Sequence, residues 1–159
     1  DLHLSIRRQR QMCIRDRIYQ GGVNEYLSEE LKDFDCIPSK PFYGSSRSDT
    51  EEVEWSLTWP EDDSGGLQES YVNLIPTRQG GTHVSGFRSG LAEAIKDFAE
   101  YRSLLPRGVK LSPEDIWFGI SFILSVRLEE PQFAGQTKEK LRSSTSLNFS
   151  GIHPLWNLN

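Results

Sequence analysis

The sequence predicts an α+β fold in which strands form a layer covered by a long helix, and three stretches carry that prediction. Tyr71 to Pro76 is a short apolar run closed by proline, as a buried strand would be. A glycine turn at Gly80-Gly81 follows, with Thr82 placed to cap the helix after it. From there to Tyr101, Phe87, Leu91, Ala94, Ile95 and Phe98 recur at three- and four-residue steps, while Arg88, Glu93, Lys96, Asp97 and Glu100 fill the opposite face. The second stretch alternates Val53, Trp55, Leu57 and Trp59 with Glu54, Ser56 and Thr58. The third alternates Ile120, Phe122, Leu124, Val126 and Leu128 with Ser121, Ser125 and Arg127. Both are period-two patterns of strands.

Taken in order, the chain begins with a segment unlike the rest. Residues 1–17 hold five arginines against two aspartates, a charge of +3 that leaves −8 for the remainder of a chain whose total is −5. A basic arm for nucleic acid is one reading. The better one is that Met12-Cys13-Ile14-Arg15-Asp16-Arg17 is the translation of a sequencing-library adapter, so residues 1–17 are expected to be non-native and to pack against nothing. After Gly21-Gly22, the spacing of Val23, Tyr26, Leu27 and Leu31 predicts a short helix over Val23 to Lys32. Pro38 and Pro41 break it and start an extended piece through Phe42 to Gly44; Ser45 to Thr50 reads as a polar loop. Pro60 to Gly66, with Asp62, Asp63 and two glycines, signals a hairpin turn, which predicts that Gln68 to Ile75 returns antiparallel beside Glu52 to Trp59. Ser112-Pro113-Glu114-Asp115 has a capping residue, proline at the first helical position and a carboxylate at the third, and predicts a short helical turn through Trp117. Pro131 ends the third strand, and Phe133 to Leu141 reads as a loop turning into a helix start.

The 159 residues suit one domain, and a 36% hydrophobic fraction places the chain among globular rather than disordered sequences. No apolar run approaches the roughly 18 residues of a membrane helix, so no membrane partner is expected. The acidic balance argues against a free-standing nucleic-acid binder, which needs a basic face for phosphates. Cys13 and Cys36 provide neither a disulfide framework nor metal spacing, which fits a reducing compartment.

Candidate chemistry is sparse. His3, His83 and His153 lie far apart without a partner pattern, and no metal site is expected. Glu51, Glu52, Glu54, Glu61, Asp62 and Asp63 read as solvated surface rather than catalytic carboxylates. Gly80-Gly81-Thr82 lacks a Walker lysine and the G-x-G-x-x-G spacing, so a tight turn outranks a phosphate cradle. His83 reads as a packing or hydrogen-bonding residue of the first helical turn, and Trp55, Trp59 and Trp117 as core. Gln136, Thr137 and Lys138, after Gly135, form a polar triplet at the end of a buried strand. An amide donor and an ammonium two residues apart can both reach one phosphate; an exposed helix start is the plainer reading.

Several runs together carry a resemblance: Gly-Gly-Val-Asn-Glu-Tyr-Leu (21–27), Glu-Ser-Tyr-Val-Asn-Leu-Ile-Pro-Thr (69–77), Gln-Gly-Gly-Thr-His (79–83), Glu100 through Trp117, and Pro-Gln-Phe-Ala-Gly-Gln-Thr-Lys (131–138). From Gly21 to Leu141 the chain resembles the B subunits, the ATPase subunits, of bacterial DNA topoisomerase IV, with gyrase B as close paralogue. The Glu100–Trp117 stretch is more similar to the topoisomerase IV form. The resemblance implies a transducer domain with the fold of ribosomal protein S5 domain 2, a mostly antiparallel sheet with helices on one face and a left-handed βαβ crossover. It also implies that Gln136 and Lys138 contact the γ-phosphate of ATP, with Gly135 and Thr137 supporting the loop. Loss of that phosphate would then free the loop and let the domain swing. ATP and Mg²⁺ would be bound mainly by an upstream domain that carries the family's general-base glutamate, magnesium-binding asparagine and lid, so no complete catalytic set is expected in this chain.

The implied organisation is a non-native segment (1–17), the tail of an ATP-binding domain of the GHKL type (18–34), the transducer domain (35–141) and a divergent or frameshifted tail (142–159). The parent would be a cytoplasmic, nucleoid-associated type II DNA topoisomerase that passes one duplex through another with ATP. It would decatenate and relax DNA and act in chromosome segregation. Its partners would be DNA, the A subunit and a second copy of the ATPase subunit; the chain alone is expected to be inactive. The alternatives are a gyrase B segment, or a non-enzymatic S5-like module that binds RNA or protein, against which the acidic charge speaks.

Overall fold

The computed structural model describes residues 20–62 and 66–142. The expectations for residues 1–17, for His3, Cys13, Asp63 and His153, and for the tail beyond Arg142 lie outside the described residues.

Helix α1 covers residues 20–30, beginning slightly before the predicted Val23. Among the described residues five strands follow in one sheet: β1 (Cys36–Arg47), β2 (Glu51–Pro60), β3 (Gln68–Val72), β4 (Ile75–Pro76) and β5 (Ser121–Leu128). Between β4 and β5 lie α2 (Thr82–Tyr101) and α3 (Pro113–Trp117). The spatial order is β1-β2-β5-β3-β4, and every pairing is antiparallel except β3 with β5. The expected hairpin between the second strand and Gln68–Ile75 is therefore not formed. β5 sits between them, antiparallel to β2 through Leu57 opposite Phe122 and parallel to β3 through Ser70 opposite Leu124. Its side chains suit the central position, because Ile123, Leu124 and Val126 are fully buried and need cover on both faces.

Three further expectations are corrected. Tyr71 to Pro76 is not one strand; Asn73 and Leu74 both have positive φ and reverse the chain in two residues, pairing Val72 with Ile75. Asn73 fastens the turn to β5, donating to the Leu128 carbonyl and accepting from its N–H at 2.9 and 2.8 Å. Ser45 to Arg47, read as loop, continue β1 opposite Glu54, Val53 and Glu52, because an edge strand with an open face needs no apolar alternation. Thr82 does not cap α2. Gly81 occupies the cap position at φ 140°, with no side-chain capping bond, and Thr82 is the first helical residue.

The α3 start is as the sequence predicts, a reciprocal capping box between Ser112 and Asp115. Hydrogen bonds from the Ser112 hydroxyl and N–H hold the Asp115 carboxyl below the usual carboxylate range.

The core lies between the sheet and α2. Val53, Trp55 and Leu57 of β2 and Phe122, Leu124 and Val126 of β5 meet Phe87, Leu91, Ala92 and Ala94 of the helix. Phe87 touches the aromatic rings of Trp55, Trp117 and Phe122, with centroids 5.5–6.2 Å apart. Within 35–141 both helices belong to this face. Helix α1 packs on a second cluster, Val23, Tyr26 and Leu27 against Tyr71 and Ile123. Polar contacts join it to the sheet there: Ser56 donates to Asn24, and the Tyr26 and Tyr71 hydroxyls share one oxygen of Glu69.

Candidate functional site

The sequence points to Gly135–Lys138, and the structure shows how that loop is built. After β5 the chain turns at Pro131 and runs out through Phe133, back at Leu141. These two residues form an antiparallel bridge, supported by Ala134 N–H to the Lys140 carbonyl (2.8 Å) and Arg142 N–H to the Gln132 carbonyl (2.7 Å). The stretch is a hairpin-like excursion rather than the expected helix start. Gly135 (φ 86°) and Lys138 (φ 56°) are left-handed, which turns the tip and prevents helical continuation. Gly135, Gln136, Thr137 and Lys138 are all exposed or half-buried at that tip. Among the described residues Gln136 has no hydrogen-bond partner and Lys138 forms no ion pair. The Lys138 ammonium lies 5.9 Å from the centre of the Phe133 ring.

The base of the loop is as closed as the tip is open. Leu141 is buried in the main core at 1% exposure. Its N–H donates to the Gly80 carbonyl (3.1 Å), and its carbonyl accepts from the Thr82 N–H (3.3 Å), making a parallel bridge with Gly81. A Cβ on Gly81 would meet the Leu141 carbonyl oxygen at 2.5 Å and its nitrogen at 2.6 Å, so glycine is the residue that permits this approach. Two residues before Gly81, Gln79 grips Glu139 twice, by N–H to carbonyl and by side-chain amide to carboxylate, both at 2.9 Å. Residue-level reasoning missed Gln79, Glu139 and Leu141. They join segments 60 residues apart, and no local pattern marks such a pairing.

Behind the glycine turn lies a small buried polar network. The Thr77 hydroxyl donates to the Ser70 carbonyl at 3.0 Å and stands 2.7 Å from the Ser70 hydroxyl and 2.9 Å from His83 Nε2. An imidazole protonated on Nε2 satisfies this arrangement by donating to Thr77. Nδ1 is then a bare lone pair, and it has no partner among the described residues. Protonating it would place an N–H in a buried site with no acceptor, so burial holds the His83 pKa at about 4. His83 is thus a neutral hydrogen-bonding residue of the first turn, as expected, and not a base poised near neutrality.

The remaining sequence candidates do not converge on the loop. Glu52 pairs with Arg127 at 3.2 Å, and Glu54 accepts from the Tyr43 hydroxyl at 3.2 Å, both on the strand surface. Trp55 is core, and Trp59 and Trp117 pack against that core. The donors at the loop tip, one amide and one ammonium, suit a phosphate and offer little to a cation. Among the described residues no helix is long and apolar enough to cross a membrane.

Solved structures of two bacterial ATPase or ATP-binding domains share this fold. The chain aligns with the ATP-binding domain of Francisella tularensis topoisomerase IV at TM-score 0.69 and 36% identity, covering 84% of this chain and 36% of that one. With the 43K ATPase domain of Thermus thermophilus gyrase B the TM-score is 0.70 at 27% identity, covering 84% and 35%. The DNA gyrase B family model matches residues 22–150, and the chain belongs to that family. It is 54% identical over 135 residues to the B subunit of DNA topoisomerase 4 from Escherichia coli, a match covering 84% of this chain and 21% of the relative. The chain therefore spans about a fifth of the length of the curated relatives it matches.

Proposed function

We propose that this chain is the transducer segment of the ATPase subunit of a type IIA DNA topoisomerase, and that it senses the γ-phosphate of ATP through Gln136 and Lys138. The observation that carries the reading is the contrast within one loop. The base is fixed to the core by Leu141 and to the glycine turn by backbone bonds, while the tip presents an amide and an ammonium with no ion pair among the described residues. Such an arm can reach a phosphate on a neighbouring domain and convey its presence to the sheet without unfolding. ATP supplies the phosphate whose loss releases the arm; Gln136 donates to its oxygens, Lys138 neutralises their charge, and Gly135 and Thr137 shape the tip.

The donor set leaves Mg²⁺ to carboxylate or amide oxygens elsewhere in the parent subunit. Residues 18–34 serve as the tail of the ATP-binding domain and 35–141 as the transducer; 1–17 is a non-native segment and 142–159 a divergent tail. Identity of 54% to a topoisomerase IV ATPase subunit favours that enzyme over gyrase. The parent's partners are then DNA, the A subunit and a second copy of the ATPase subunit, in the cytoplasm at the nucleoid. The test is calorimetry and an ATPase assay on this chain. At millimolar nucleotide it is expected to neither bind nor hydrolyse ATP, whereas the full-length subunit does both. Hydrolysis by the chain alone would refute the assignment.

A further inference from the structure

The Gln79–Glu139 contact has no part in the reading above, yet it holds the residue next to Lys138. Gln79 belongs to the turn between β4 and α2, and Glu139 to the returning limb of the loop. Two bonds of 2.9 Å join them, one between backbones and one between side chains, and the backbone bond alone would leave Glu139 free to pivot. The next bond along this junction, Leu141 N–H to the Gly80 carbonyl, lies two residues further from Lys138. Lys138 itself is held at φ 56°, a left-handed conformation that a lysine keeps only when its neighbours enforce it.

We propose that Gln79 is a positioning residue for the phosphate-sensing lysine. By fixing both the carbonyl and the carboxylate of Glu139, it holds Lys138 in its left-handed conformation and keeps the ammonium at the exposed tip, over the Phe133 ring. The amide is suited to this task because it neutralises no charge. A cation at residue 79 would pair with Glu139 and add a positive charge beside the lysine; a carboxylate would repel Glu139 and open the clamp. The inference rests on the reading of Lys138 as the γ-phosphate contact and adds a residue that acts through it.

The experiment uses the full-length subunit with its partner subunit, measuring KM and kcat for ATP and, by competition, the affinity for ADP. Gln79→Ala is expected to raise KM for ATP about fivefold, a fraction of the charged hydrogen bond it misaims, with ADP affinity unchanged. In a Lys138→Ala background the same change is expected to have almost no effect, since the group it positions is gone. Gln79→Glu should be worse than Gln79→Ala, and Gln79→Glu with Glu139→Gln should recover wild-type behaviour, because the amide and carboxylate have exchanged sides. That rescue separates positioning from folding. Equal losses from Gln79→Ala with and without Lys138, or no recovery in the exchanged pair, would overturn the proposal. If Lys138→Ala alone is silent, the underlying phosphate reading fails; if it is impaired while Gln79→Ala is silent, only the positioning role fails.

Discussion

The two glycine-bearing bends of this chain, Gly80-Gly81 and Gly135 to Lys138, are opposites in physical terms. At Gly81 an added Cβ would collide with Leu141 backbone atoms, and backbone hydrogen bonds tie Gly80 and Thr82 to the same residue. At Gly135 an added Cβ would meet nothing within 4 Å among the described residues, and the polar groups beside it are exposed. Both need positive φ, but the first uses glycine for close approach and the second only for the turn. Rigidity is placed at the anchor, which is packed so that the tip can stand exposed without wandering.

Substitutions that break the anchor should therefore cost most. Leu141→Ala removes a fully buried core side chain and is expected to destabilise the chain by about 2–5 kcal/mol in denaturant unfolding. Gly81→Ala combines left-handed strain with overpacking and is expected to cost about 3 kcal/mol in the same assay. Gly135→Ala meets only the backbone penalty, about 1 kcal/mol. A loss at Gly135 as large as that at Gly81 would erase the distinction between anchor and tip.

The anchor should also show a pH dependence. His83 has a folded pKa of about 4, below the value near 6.5 of an unfolded histidine. Its contribution to stability is complete above about pH 6.5 and is lost as pH falls toward about 4, because the unfolded chain takes up a proton that the native site refuses. The full window corresponds to about 3 kcal/mol, so roughly half should be gone near pH 5.4. Comparing Tm against pH for the wild type and His83→Gln isolates the effect from the carboxylates. Parallel curves would show that the imidazole is not held neutral.

The sequence disclosed elements better than their neighbours. Alternation at Val53–Trp59 and Ile120–Leu128, the face of Phe87 and Leu91, and the Ser112 capping box are local signals, and each is realised. Pairing is not local. The turn signal at 60–66 favoured a hairpin that β5 interrupts, because nothing in a strand's own pattern states which partner will cover it. The reversal at Asn73-Leu74 was hidden by a leucine at φ 63°, a residue type that does not announce a turn. At the candidate site, Gln136 and Lys138 stood out through resemblance and through their donor chemistry. Their anchorage by Gln79, Gly81 and Leu141 emerges only when segments 60 residues apart meet.

The proposed contact is between Lys138 and a phosphate that ATP has and ADP lacks. Its most direct test is Lys138→Ala in the full-length subunit, comparing ATP turnover and the affinities for a non-hydrolysable ATP analogue and for ADP. Loss of one charge-assisted contact of about 1.5–3 kcal/mol should weaken the analogue at least tenfold and lower turnover, with ADP affinity nearly unchanged. Lys138→Arg should restore this only in part, since a forked guanidinium does not replace a compact ammonium. Wild-type turnover in Lys138→Ala, or equal weakening of ADP and the ATP analogue, would contradict that contact.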